Sequence, residues 1–80
     1  MNKDAKKKKN PVLLEFARRV RRRRYDLDLT QERLAELSDF HVNFIGGIER
    51  GARNPSLTSL LKLAQALEIP LEELIAHLSV

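Results

Sequence analysis

The chain has 80 residues, 15 Lys and Arg against 11 Asp and Glu, a net charge of +4, and no cysteine. That length suits one small domain with a modest core, and the missing thiols exclude disulfides and thiolate zinc sites, so packing must supply the stability. His41 and His77 are far apart with no second ligand at helical spacing, so no metal and no other cofactor is expected.

The segment 1-MNKDAKKKKN-10 is polar, charged and without periodicity, and is expected to be a disordered basic arm ahead of a domain spanning 11–80. No signal-peptide apolar stretch follows it and no run reaches membrane length, which predicts a soluble, cytoplasmic chain without a membrane partner. Asn10-Pro11 is a helix start, Asn as N-cap and Pro at the first helical position. Leu13, Ala17 and Val20 then mark the buried stripe of a first helix that Asp28 ends. The run 21-RRRR-24 covers more than one turn, so at least one Arg must face the body and find a partner or snorkel.

Thr30 caps a second helix, 31-QERLAELS-38, with Leu34 and Leu37 inward. Ser38-Asp39-Phe40 is a short break, and a third helix runs from about Val42 to Arg50, with Gly51 at a left-handed C-terminal cap. Ser56 caps a fourth helix, 57-LTSLLKLAQAL-67, whose Leu57, Leu60, Leu61, Ala64 and Leu67 form a wide stripe. After Ile69-Pro70, 71-LEELIAHL-78 makes a fifth helix with Leu71, Leu74, Ile75 and Leu78 on one side. No run alternates with period two. The fold class is therefore all-α, five short helices.

Charge is distributed unevenly. Residues 1–24 hold eleven Lys or Arg against Asp4 and Glu15, whereas residues 25–80 hold four against nine acids. A basic end on a mildly acidic body suggests a polyanionic partner; the alternative is a solvated tail and helix face. Helix two, a three-residue break and helix three have helix-turn-helix proportions. With Ile45 and Ile48 inward, the opposite face of helix three carries Val42, Asn43, Gly46, Gly47 and Arg50. Two adjacent glycines inside a helix are costly, at about 1 kcal/mol each relative to Ala.

The segments 29-LTQERLAELS-38, 45-IGGIERGARNPSLTSLLKLAQALEI-69 and 71-LEEL-74 resemble the XRE family of helix-turn-helix regulators, the group of the lambdoid repressors and Cro, over residues 20 to 74. The stretch Phe-Ile-Gly-Gly-Ile-Glu-Arg-Gly also resembles restriction–modification controller proteins. The resemblance implies a lambda-repressor-like fold and a sequence-specific regulator of transcription that binds double-stranded DNA as a homodimer on a near-palindromic operator. It implies that helix 42–50 enters the major groove, with base contacts from Val42, Asn43, Gly46 and Gly47. Phosphate contacts fall to Arg24, Gln31, His41, Arg50, Arg53 and Asn54. Phe44 joins them where the controller-like pattern has Tyr, without its hydroxyl; packing at the core edge is its other reading. Arg24 is expected to pair with Glu49. Leu74, Ile75 and Leu78 are the expected dimer surface, or else close the monomer core.

For the glycines, the expectation is close approach of backbone to DNA, with readout partly through DNA shape. On that view Gly47→Ala raises stability and weakens specific binding. No catalytic residue is expected: paired carboxylates and metal spacing are absent, and five short helices leave little room for a small-molecule pocket. The chain is read as no enzyme and as having no small-molecule ligand. The rival to DNA binding is a protein-interaction module, an antitoxin or adaptor on the same fold.

Overall fold

Asn10 opens the fold: its Oδ1 accepts from the Val12 N–H at 2.8 Å and from that of Leu13 at 3.4 Å. The computed structural model describes residues 10–79; the expected arm, apart from Asn10, lies outside the described residues. Among those described, the elements are α1 (Pro11–Asp26), α2 (Gln31–Ser38), α3 (Val42–Glu49), α4 (Leu57–Ala66) and α5 (Leu71–Leu74). The all-α reading holds. Removing the first cap with Asn10→Ala is expected to cost about 1 kcal/mol. A thermal melt that does not shift would mean that Pro11 alone starts α1.

Two further starts are equally local. Thr30 Oγ1 accepts from the Arg33 N–H at 3.0 Å, and Ser56 Oγ from that of Ser59 at 3.2 Å. The ends share one device. A residue in the left-handed region follows every helix: Asp28 (φ 61°), Asp39 (61°), Gly51 (72°), Glu68 (55°) and His77 (62°). For an L-residue this conformation costs roughly 1–2 kcal/mol, and only Gly51 avoids it. Gly51 is needed twice over, because a Cβ there would also lie 2.8 Å from Leu14 Cδ2.

The core gathers Phe16, Ala17 and Val20 of α1, Leu34 and Ala35 of α2, Ile45 and Ile48 of α3, Leu63 and Ala64 of α4, then Leu67 and Leu74. Helix α2 packs on both α3 and α4, α1 packs on α3 and α5, and α5 closes on α4. Several expectations are corrected. Leu13 is only half-buried, and Phe16 takes the inner position. Leu37, Leu57 and Leu61 are exposed. At 100° per residue, the arc of α4 that buries Leu63, Ala64 and Leu67 turns Leu61 outward, whereas Leu57, nearly in line with Ala64, is exposed at the first position of the helix. The fifth helix stops at Leu74 instead of Leu78, because His77 adopts the left-handed conformation and Ala76 and Leu78 make three-residue turns, Ala76 N–H to Glu73 O and Leu78 N–H to Ile75 O. Leu74 is 1% exposed and belongs to the monomer core, which removes it from the expected dimer surface.

The arginines of α1 turn largely inward. Arg19 Nη1 donates to Leu74 O at 3.1 Å, Arg21 Nη1 donates to Glu49 O, and Arg23 donates to Leu67 O at 2.7 Å and Glu68 O at 2.9 Å. These carbonyls lie at the C-terminal ends of α5, α3 and α4. Such groups have no partner within their own helix, and a cation there also opposes the negative end of the dipole. One helix therefore caps three others. Arg18 and Arg22 pair along α1 itself, with Glu15 (2.8 Å) and Asp26 (3.4 Å). Hydrogen bonds from Arg18 and then Arg19 hold the Glu15 carboxyl down to about 2. The basic character of α1, read from its charge as pointing to a polyanion, is thus mostly committed within the chain.

Candidate nucleic-acid interface

The turn between α2 and α3 is set by Asp39 and Phe40. Asp39 turns left-handed, the Phe40 N–H reaches back to Ala35 O at 2.9 Å, and the Phe40 ring packs at 4.6 Å from that of Phe44, centroid to centroid. His41 starts α3: its Nδ1 accepts from the Asn43 N–H at 3.0 Å. The cap uses Nδ1 and leaves Nε2 uninvolved in it.

The orientation of α3 is held at its far end by a buried carboxylate. Glu49 is 4% exposed. Arg24 Nε meets its Oε2 at 2.6 Å and Nη2 meets Oε1 at 2.9 Å, in the two-pronged geometry that suits guanidinium and carboxylate. Gln31 Nε2 adds a bond to Oε1 at 3.0 Å. The third nitrogen of Arg24, Nη1, donates to Leu29 O at 2.9 Å, and the guanidinium lies 4.7 Å from the Tyr25 ring centroid. The Glu49 hydrogen bonds raise the Arg24 pKa above its ordinary value, against the opposing pull of burial. Among the described residues no buried side-chain N or O lacks a partner. The Arg24–Glu49 pair thus forms as the resemblance implied, and it joins α1, α2 and α3 at one point. The added expectation that Arg24 reaches phosphate is corrected. It is buried, and all three of its nitrogens are engaged inside the chain.

On the outer face of α3, Asn43 is exposed and Val42 is half-buried against the core. Gly46 and Gly47 are buried. The bare backbone expected there is not bare, since side chains of the same chain cover it. A Cβ on Gly46 would lie 3.1 Å from Arg50 Nη1, and one on Gly47 would lie 2.6 Å from Arg53 Cγ and 3.3 Å from Nε. The Arg53 guanidinium carbon also stands 5.8 Å from the centroid of Phe44, within cation–π range. Phe44 itself is half-buried and packs against the core cluster. Asn54, beyond Arg53, sits at the rim of a hollow of about 110 Å³ that Leu60, Ile75 and Leu78 also line.

One face therefore carries Asn43, Arg50 and Arg53, with Gln31 at the start of α2 tied to it through Glu49. Sequence reasoning missed the helix-capping arginines and the seat of Arg53. Neither has a local signal: Arg23 and Leu67 are 44 residues apart, and Gly47 meets Arg53 across a helix end.

A helix-turn-helix family model matches residues 20–74. The chain belongs to the XRE-type helix-turn-helix family. It is similar to the control protein C.SmaI of Serratia marcescens, 42% identical over 62 residues that cover 78% of this chain and 74% of the relative. Its structure resembles that of the restriction–modification controller protein C.AhdI from Aeromonas hydrophila, with a TM-score of 0.76, 48% identity and coverage of 78% and 94% of the two chains. It also resembles the C.Esp1396I controller tetramer in complex with its natural 35 base-pair operator, with a TM-score of 0.74, 28% identity and coverage of 84% and 97%. No helix among the described residues is long and apolar enough to cross a membrane.

Proposed function

We propose that this chain is a cytoplasmic, non-enzymatic transcriptional regulator of the controller type, which binds operator DNA as a homodimer with α3 in the major groove. The observation that carries the reading is the Arg24–Glu49–Gln31 brace. It fixes the angle between α2 and α3 while Asn43, Arg50 and Arg53 stay on the outer face. Asn43 suits bidentate bonding to adenine, and Val42 offers a partly covered methyl surface to thymine. Arg50, Arg53, Asn54 and His41 Nε2 line the path of the phosphates, and the α2 N-terminus beside Gln31 presents N–H groups to an anion.

One protomer reads one half-site, so dimerisation is part of the function. Leu57, Leu60 and Leu61 share one side of α4 at spacings of three and four. Leu57 is 67% exposed and Leu61 51% exposed, and Leu60 lines the hollow with Ile75 and Leu78. This side of α4, with Ile75 and Leu78, is the proposed dimer surface in place of one centred on Leu74.

Fluorescence anisotropy against the DNA upstream of the chain's own gene and a scrambled duplex, over a salt series, tests the reading. Tighter binding to the upstream DNA at physiological salt, with two protomers per site, is expected. Asn43→Ala is expected to lose about 1–3 kcal/mol of discrimination. Equal affinity for both duplexes, vanishing as salt rises, would leave only generic charge attraction and favour a protein-interaction role.

A further inference from the structure

Gly46 and Gly47 differ in what they meet, and the difference assigns them different work. At Gly46 the nearest atom to an added Cβ is Arg50 Nη1, at 3.1 Å. That is the tip of a long side chain and can move aside by a few tenths of an ångström. At Gly47 the nearest atom is Arg53 Cγ, at 2.6 Å, followed by Nε at 3.3 Å and Cδ at 3.5 Å. Contact with Cγ cannot be relieved by bending the tip. The whole side chain must swing about its first torsion, because three consecutive positions of its stem lie over the glycine.

We infer that Gly47 and Phe44 form a seat that holds the Arg53 side chain against the outer face of α3. Gly47 is then a positioning residue, acting on DNA through Arg53. Gly47 supplies a flat backbone floor for the aliphatic stem. Phe44, one helical turn earlier in α3, offers its ring to the guanidinium at 5.8 Å from the centroid. Arg53 belongs to the loop after α3, where a long side chain would otherwise sample many rotamers. Seated, it becomes part of the recognition surface before any ligand arrives. Ordering a rotamer-rich side chain on binding costs about 0.5–1.5 kcal/mol, or roughly a 2- to 10-fold change in affinity. The seat removes that cost. This also accounts for the unfavourable glycine: the helix gives up propensity at residue 47 to fix an arginine six residues later.

The inference deepens the DNA-binding reading and rests on it, but its geometry is testable without DNA. In the free protein, the Arg53 Hγ and Hδ resonances are expected to be displaced upfield by the Phe44 ring. Gly47→Ala should return them towards unstructured values, while Gly46→Ala, an equal change of helix propensity one position away, should not. Arg53 resonances that Gly47→Ala leaves in place would overturn the seat.

The second arm is a double-mutant cycle on the upstream duplex. Gly47→Ala is expected to weaken specific binding about 2- to 10-fold in the wild-type background and to have no further effect in Arg53→Ala. Equal losses in both backgrounds would mean that the glycine itself approaches DNA, and would overturn the proposal. If the wild-type chain shows no preference for the upstream duplex, the DNA-binding reading falls, and the resonance arm alone judges the seat. Circular dichroism of each variant confirms that α3 remains folded.

Discussion

Glu49→Ala is expected to destabilise the fold by about 3–5 kcal/mol, because it leaves the Arg24 guanidinium buried without its anion. The magnitude follows from burial. The side chains of the pair are 9% and 2% exposed, so water replaces little of the lost contact. Such a loss is a large share of the stability of a small domain, about 5–15 kcal/mol, and the variant should unfold at a much lower urea concentration. Gln31 would lose its acceptor as well, and the angle between α2 and α3 would lose its fixed point. Specific DNA binding should therefore fall by more than the folded fraction alone explains. Replacing both partners by apolar residues, Arg24→Met with Glu49→Leu, should recover much of the stability, since the desolvation cost of both charges disappears together. Urea titrations of the two singles and the double decide it. A loss below about 1 kcal/mol for Glu49→Ala would match a solvent-exposed pair and contradict the burial seen here.

The second large effect separates two kinds of arginine. Arg23→Ala is expected to cost about 1.5–3 kcal/mol, the range for hydrogen bonds from a charged donor, because it uncaps Leu67 O and Glu68 O at the end of α4. The left-handed Glu68 makes that end strained already. The salt dependence of DNA binding should not change, since Arg23 spends its donors on backbone carbonyls. Arg53→Ala should do the reverse. Stability should stay within about 0.5 kcal/mol, while the slope of log K against log salt falls by about 0.9 if one phosphate contact is lost. Thermal melts and binding at several salt concentrations, run on both variants, give the comparison. A salt slope reduced by Arg23→Ala would return α1 to the DNA-facing surface.

These arginines mark where reading the sequence reached its limit. Six of them fall within residues 18–24, and by charge alone they look like a polyanion site. Their destinations are carbonyls 28 to 55 residues away for Arg19, Arg21 and Arg23, and no spacing along α1 encodes that. Helix starts were legible because capping is local: Asn10, Thr30 and Ser56 each accept from an N–H two or three residues on. Helix ends were legible where the residue advertised its backbone, as Gly51 did and as Asp28 did more weakly. Glu68 and His77 gave no such sign, and α5 came out four residues shorter than its apolar spacing suggested.

The candidate site divides in the same way. Pairing of Arg24 with Glu49 was reachable through family resemblance, and the outer face of α3 through periodicity. The buried arc of α4 was not. Its leucines satisfy more than one stripe, and the choice of Leu63 over Leu57 and Leu61 depends on where α2 and α5 sit. By itself, the sequence determined the class, the order and the starting points of the helices, because capping, turn chemistry and periodicity act over a few residues. Only the tertiary structure decided which leucines face out, which arginines cap their neighbours and what covers Gly47. Those outcomes come from groups in different elements, most of them distant in the chain, competing for the same carbonyls, carboxylate and apolar surface.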